Sequence, residues 1–171
     1  MSERTRFYGK FRGTVLNNID PMQKGRIQVM VPDTTGLVPG SWAMPCVPFA
    51  GRQSGLYVLP QIGDGVWVEF EQGDLDYPVW VGGFWGSAAE VPVLALAGLP
   101  VSPSVVLQTG GQNTLMLSDL PGPTGGILLK STTGALISIT ELGITISNGQ
   151  GATITLLGPA VNINAGALTV I

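Results

Sequence analysis

The chain has 171 residues, with 25 glycines, 13 prolines, one cysteine and no histidine. That composition argues against long helices and excludes an intrachain disulfide, Ser–His or Cys–His catalysis, and metal sites built on histidine or several cysteines. A net charge of −3 and a pI near 4.7 run against nonspecific nucleic-acid binding, which needs a basic face to neutralise phosphates.

Strand signals dominate residues 6–85. Phe7 to Leu16, Arg26 to Val31, Trp42 to Val47, Gly65 to Glu71 and Pro78 to Trp85 are β-prone runs. Asn17-Asn18, Asp20-Pro21, Pro32-Asp33, Gly63-Asp64 and Gly73-Asp74 supply the turns between them. Parity gives each run one apolar face: Ile27, Val29 and Val31 share one, as do Val66 and Val68. Five such strands suit a small closed barrel, of which the OB-fold is the common case.

The order of these anchors carries a resemblance. Gly13 and Val15, Asp20-Pro21, Lys24-Gly25-Arg26-Ile27, Val31-Pro32, Trp42, Pro45, Ala50-Gly51 and Gly55 come first. Pro60, Gly63-Asp64, Val66, Val68, Phe70, Gly73-Asp74, Pro78 and Gly82 follow. Together they resemble the OB domain of the phage baseplate assembly protein V and VgrG spike family. Most of these residues shape turns, so they specify a fold and mark no chemistry.

Residues 91–171 hold only three charged side chains, Asp119, Lys130 and Glu141. Apolar residues two apart recur there: Leu115/Leu117, Ile127/Leu129, Ile137/Ile139, Ile144/Ile146, Ile154/Leu156, Val161/Ile163 and Leu168/Val170. Polar residues such as Ser138, Thr145, Thr155 and Asn162 take the opposite parity. That is one apolar and one wet face per short strand, and a stack of such strands needs neighbours. Rungs this short predict three chains wound together, one strand per wall, as an intertwined trimeric β-helix or prism. Such a stack also closes sheet edges. The first twelve residues of the seven pairs form its expected core. At about 4.8 Å per strand the prism is on the order of 30–35 Å long. Spikes resembling this chain carry such a prism after the barrel.

The expected organisation is an OB barrel over 1–86, a linker over 87–106 and the prism over 107–171, all-β throughout. The linker is too short for the lysozyme domain of several similar spikes. The opening MSERTRFYGK lacks the apolar core of a secretory leader, and no apolar run reaches the roughly 18 residues of a membrane-crossing helix.

Arg4, Arg6, Tyr8, Lys10 and Arg12 share one parity, so on a strand they form a cationic face. It reads as a solvated edge or a contact to an acidic hub, against the alternative of a nucleic-acid platform. Glu69 and Glu71 share strand parity and read as surface carboxylates rather than an acid–base pair. Asp74 and Asp76 read as a turn, two carboxylates being too few for calcium. Cys46 reads as a small core side chain, and Trp42, Trp67, Trp80 and Trp85 as packing residues. Leu168, Val170 and Ile171 form an uncapped apolar end, read as the seat of a separate tip protein.

The resemblance implies a central spike of a contractile injection machine: a homotrimer assembled in the cytoplasm into a phage tail-like particle. It implies a separate hub at the barrel end, a PAAR-type tip at the other, and piercing of a target envelope. No catalytic residue, metal or cofactor is expected; spikes that bind iron at the tip do so through His-x-His, which this chain lacks. The alternatives are an OB-fold single-strand nucleic-acid binder and a carbohydrate-active β-helix enzyme.

Overall fold

The computed structural model describes residues 5–98, 101–102 and 104–170. The chain divides into two compact units, Met1–Ala88 and Ala89–Ile171. Strands build both.

The first unit contains β1 (Phe11–Asn17), β2 (Ile27–Met30), β3 (Trp42–Pro45), β4 (Ala50–Gly51), β5 (Ser54–Gly55), β6 (Gly65–Phe70) and β7 (Pro78–Phe84). A closed barrel runs β1-β2-β3-β7-β6, and β4 and β5 form a separate hairpin. The parallel pair β3–β7 closes a barrel whose other joints are antiparallel. The staves are the five runs read from the sequence.

Alternation along each stave delivers Val15, Ile27, Val29, Val31, Ala43, Val66, Val68, Phe70 and Trp80 to one buried core. Each fully buried aliphatic side chain contributes about 1.5–3 kcal/mol. Gly13 lets β1 approach that core. A Cβ there would sit 3.1 Å from a Val68 methyl and 3.3 Å from the Met30 carbonyl oxygen.

Cys46 departs from its expected place and is exposed. It follows β3, where Ala43 points inward and Met44 outward, so position 46 continues the outward parity. Its backbone N–H still donates to the Trp80 carbonyl, 2.9 Å away. The β4–β5 hairpin and the short helix α1 (Pro32–Thr35) went unread in the sequence.

The second unit begins with a short helix, α2 (Val93–Leu96), in the expected linker. Eight strands follow: β8 (Val105–Gln108), β9 (Thr114–Ser118), β10 (Gly126–Lys130), β11 (Leu136–Thr140), β12 (Gly143–Ser147), β13 (Thr153–Leu157), β14 (Ala160–Ile163) and β15 (Leu168–Val170). They form one sheet in sequence order, each antiparallel to the next. At about 4.8 Å per spacing the stack is about 34 Å tall.

One expectation changes here. The stack has eight strands rather than seven, because β8 adds Val105/Leu107 and straddles the boundary expected at 106/107. Within the chain every strand pairs with its sequence neighbour, so the eight strands make one continuous antiparallel sheet. Two-residue turns at Glu141-Leu142 and Gly158-Pro159 impose this, since they return the chain directly beside itself.

Candidate assembly interface

The register of the second unit aligns the apolar pairs into two continuous columns. One runs Val105, Leu117, Ile127, Ile139, Ile144, Leu156 and Val161; the other runs Leu107, Leu115, Leu129, Ile137, Ile146, Ile154, Ile163 and Leu168. All twelve residues expected in the core of the prism therefore lie on one face. The backbone register places Val170 opposite Val161, continuing the first column onto β15.

In the single chain this face is open. From Leu115 to Leu156, the exposed members of the columns are 36–46% accessible. The opposite face is the better covered: Thr114, Met116 and Ser118 of β9 are buried, while Ser138, Thr145, Thr155 and Asn162 are half-buried. An apolar face this long, continuous and open marks an interaction surface.

Magnitudes say what this face does. Covering the remaining area of one such side chain gains about 1 kcal/mol, and the ladders together gain on the order of 10–15 kcal/mol per chain. Bringing three chains together costs the freedom of two, about 8–30 kcal/mol. Three ladders outweigh that cost.

Glycine fixes the close approach of strands at the edge. A Cβ on Gly126 would stand 1.9 Å from the Ile139 carbonyl oxygen, at a backbone φ of +86°. No other residue fits there without moving β11.

The polar residues of the barrel serve its turns. Asp20 is buried and receives the backbone N–H groups of Met22, Lys24 and Arg26 at 2.9, 2.8 and 3.2 Å. The Arg26 guanidinium donates to the same carboxylate through Nε at 3.1 Å and Nη2 at 2.7 Å. The Arg26 hydrogen bonds, reinforced by those backbone donors and opposed by desolvation, hold the Asp20 carboxyl far below the usual carboxylate range. Asp20 in turn raises the Arg26 guanidinium. The bend is tied to the core by Trp80, whose indole N–H donates to the Gly25 carbonyl at 3.1 Å.

The cationic stretch does not form the expected single face, because β1 begins only at Phe11. Arg6 donates to the Gln72 carbonyl at 3.2 Å and lies 3.6 Å from Asp74. Lys10 pairs with Glu69. The Arg12 guanidinium lies over the rings of Trp67 and Phe84, 5.4 and 5.2 Å from their centres. Arg4 lies outside the described residues. These contacts fasten the N-terminal segment to the barrel.

Glu71 falls beyond β6, in the turn that leads to Asp74, and Asp74 Oδ1 accepts the Asp76 N–H at 3.2 Å. Trp80 is core; Trp42 carries the Arg26 guanidinium on its ring; Trp85 is exposed. Among the described residues no three acidic or cysteine side chains come together where a metal could bind. Also among them, no helix is long and apolar enough to cross a membrane.

Residues 11–85 match the family described as the type VI secretion system/phage-baseplate injector OB domain. Residues 104–169 match the phage baseplate V C-terminal trimerisation domain. The chain belongs to the phage baseplate V family. A search of curated proteins finds no significant match. As a baseplate V protein the chain has a structural spike role in phage-type and type VI-type injectors, within a tail-like particle. Its second unit is a homotrimerisation domain.

Proposed function

We propose that this chain is the central spike of a contractile injection machine, joined to a hub at its barrel end and driven through a target envelope when the sheath contracts. The observation that carries this reading is the open double column of aliphatic side chains. Three copies of it, turned inward, make a dry stack of eight strands per wall with its hydrogen bonds along the axis. Such a rod resists axial load by packing and backbone pairing, and its task requires no bond chemistry.

The ends have separate roles in this proposal. The barrel meets the hub, with Arg4, Arg6, Lys10 and Arg12 as the candidate contact. For the three described cations, ties to Asp74, Glu69 and Trp67 leave the hub contact to their outward surfaces. In the second unit β15 is the C-terminal edge strand of the sheet, and Leu168 is 55% exposed. Leu168, with Val170 and Ile171, is the proposed seat of a PAAR-type tip protein. Assembly takes place in the cytoplasm, before the particle is complete.

Immunogold labelling of purified sheath-bearing particles tests the role. Gold at the centre of the baseplate is expected. Particles that assemble fully and carry none of this chain contradict it.

A further inference from the structure

The two lateral edges of the second unit differ. One edge carries the five-residue connections 109–113, 131–135 and 148–152 and the connection 164–167; the other carries the seven-residue connection 119–125 and the two-residue turns 141–142 and 158–159. The five-residue connections are stacked. Thr132 N–H donates to Asn113 Oδ1 at 3.2 Å, and Gly149 lies so close to Gly134 that a Cβ there would stand 2.7 Å from its carbonyl carbon.

The three charged side chains of residues 91–171 sort by edge as well. Lys130 ends β10 on the loop edge, whereas Asp119 and Glu141 lie on the turn edge. Glu141 already accepts the Gly122 N–H at 3.0 Å. Lys130 and Asp119 are both exposed, and neither makes an ion pair among the described residues. Within one chain they cannot meet. Lys130 is registered with Thr114, and Asp119 lies five residues further along that line, about 17 Å away.

Three copies related by rotation about one axis, apolar faces inward, must set the loop edge of each against the turn edge of the next. This is a heterologous contact that closes into a ring. Rotation alone preserves height; Lys130 ends β10 and Asp119 follows the adjacent strand β9, so the two levels differ by about one 4.8 Å strand spacing. A shallow apolar groove of 530 Å³ also runs along the loop edge, lined by Leu107, Leu115, Leu129 and Ile137 and bounded by Lys130.

We propose that each seam of the trimer joins the loop edge of one chain to the turn edge of the next, with Lys130 on Asp119 and the neighbour's edge seated in this groove. The pairing sets the direction and height at which chains join. A reversed chain would bring like edges, and therefore like charges, together. This rests on the trimer reading of the second unit.

The test is a cross-link. In the full chain with Cys46→Ser, the pair Lys130→Cys and Asp119→Cys is oxidised mildly and run on a denaturing gel without reductant. A covalent trimer that reductant dissolves is expected, since three bonds close the ring. Either cysteine alone should give none. An in-chain bond is barred, because a disulfide spans Cα atoms up to about 7 Å apart. Carbodiimide coupling of the unaltered chain reads the same contact without substitution, as a Lys130–Asp119 amide in the peptide map.

A trimer by light scattering that forms neither bond overturns the seam and leaves the trimer standing. So does a trimer that cross-links through Lys130→Cys with Glu141→Cys instead. An unaltered chain that scatters as a monomer overturns both.

Discussion

The two units of this chain solve the same problem in opposite ways. The barrel curls its sheet until the apolar face meets itself, and Val15, Ile27, Val66 and Val68 disappear from solvent within one chain. The C-terminal sheet keeps an open meander, and its aliphatic columns remain uncovered within the chain. Alternating parity is common to both; closure is not. Barrel stability is therefore a property of one molecule, whereas stability of the sheet depends on concentration.

The sharpest break of that comparison is Ile139→Asp. It sets three carboxylates around the axis at one height, in a dry stack where each lacks a partner. Light scattering is expected to show loss of the trimer. All four tryptophans lie in the first unit, so their fluorescence should keep its native maximum. A fluorescence change equal to full barrel unfolding would show that the units are not independent.

Ile27→Ala is the mirror experiment. It opens a cavity in the barrel core and should cost about 2–5 kcal/mol of barrel stability, read by tryptophan fluorescence in urea. The scattered mass should stay that of the trimer. Dissociation of the trimer in native buffer would contradict a barrel that folds on its own.

Much of this division was legible in residues. The turn anchors Asp20-Pro21, Lys24-Gly25-Arg26, Gly63-Asp64 and Gly73-Asp74 marked the barrel corners, and period-two alternation marked its inner face. The seven aliphatic pairs gave the face of the sheet. The eighth strand was missed because Val105 and Leu107 follow the proline-rich VPVLALAGLPVSP, where no glycine corner separates them. A signal existed, for Gly110-Gly111 after Gln108 is such a corner. The in-chain pairing is legible at Glu141-Leu142 and Gly158-Pro159, because two-residue connections fit only adjacent antiparallel strands. Edge asymmetry could not be read until register placed Lys130 and Asp119 on opposite sides. Asp20 looked like part of a turn, and nothing in the sequence declared its burial against Arg26.

Smaller effects sharpen the barrel half of the comparison. The folded Asp20 carboxyl titrates well below its ordinary value of 3.8, held down first by Arg26. Its contribution is therefore fully present above about pH 4 and is lost as the pH falls through the range beneath. Asp20→Asn should lower barrel stability at pH 7 and flatten the acid limb of its pH profile, measured as the urea midpoint from pH 7 to pH 2. An unchanged acid limb would contradict the role given to this bend. Lys10→Ala removes only an exposed pair with Glu69 and should cost less than about 1 kcal/mol in the same assay. A larger loss would mean that this pair anchors the N-terminal segment.

The central claim is that the open aliphatic columns are the inside of a three-chain stack. Light scattering of the unaltered full chain, followed through serial dilution at micromolar concentration, tests it most directly. The account predicts a constant mass of three chains of 17.8 kDa. A stable particle of one chain at that concentration would contradict it.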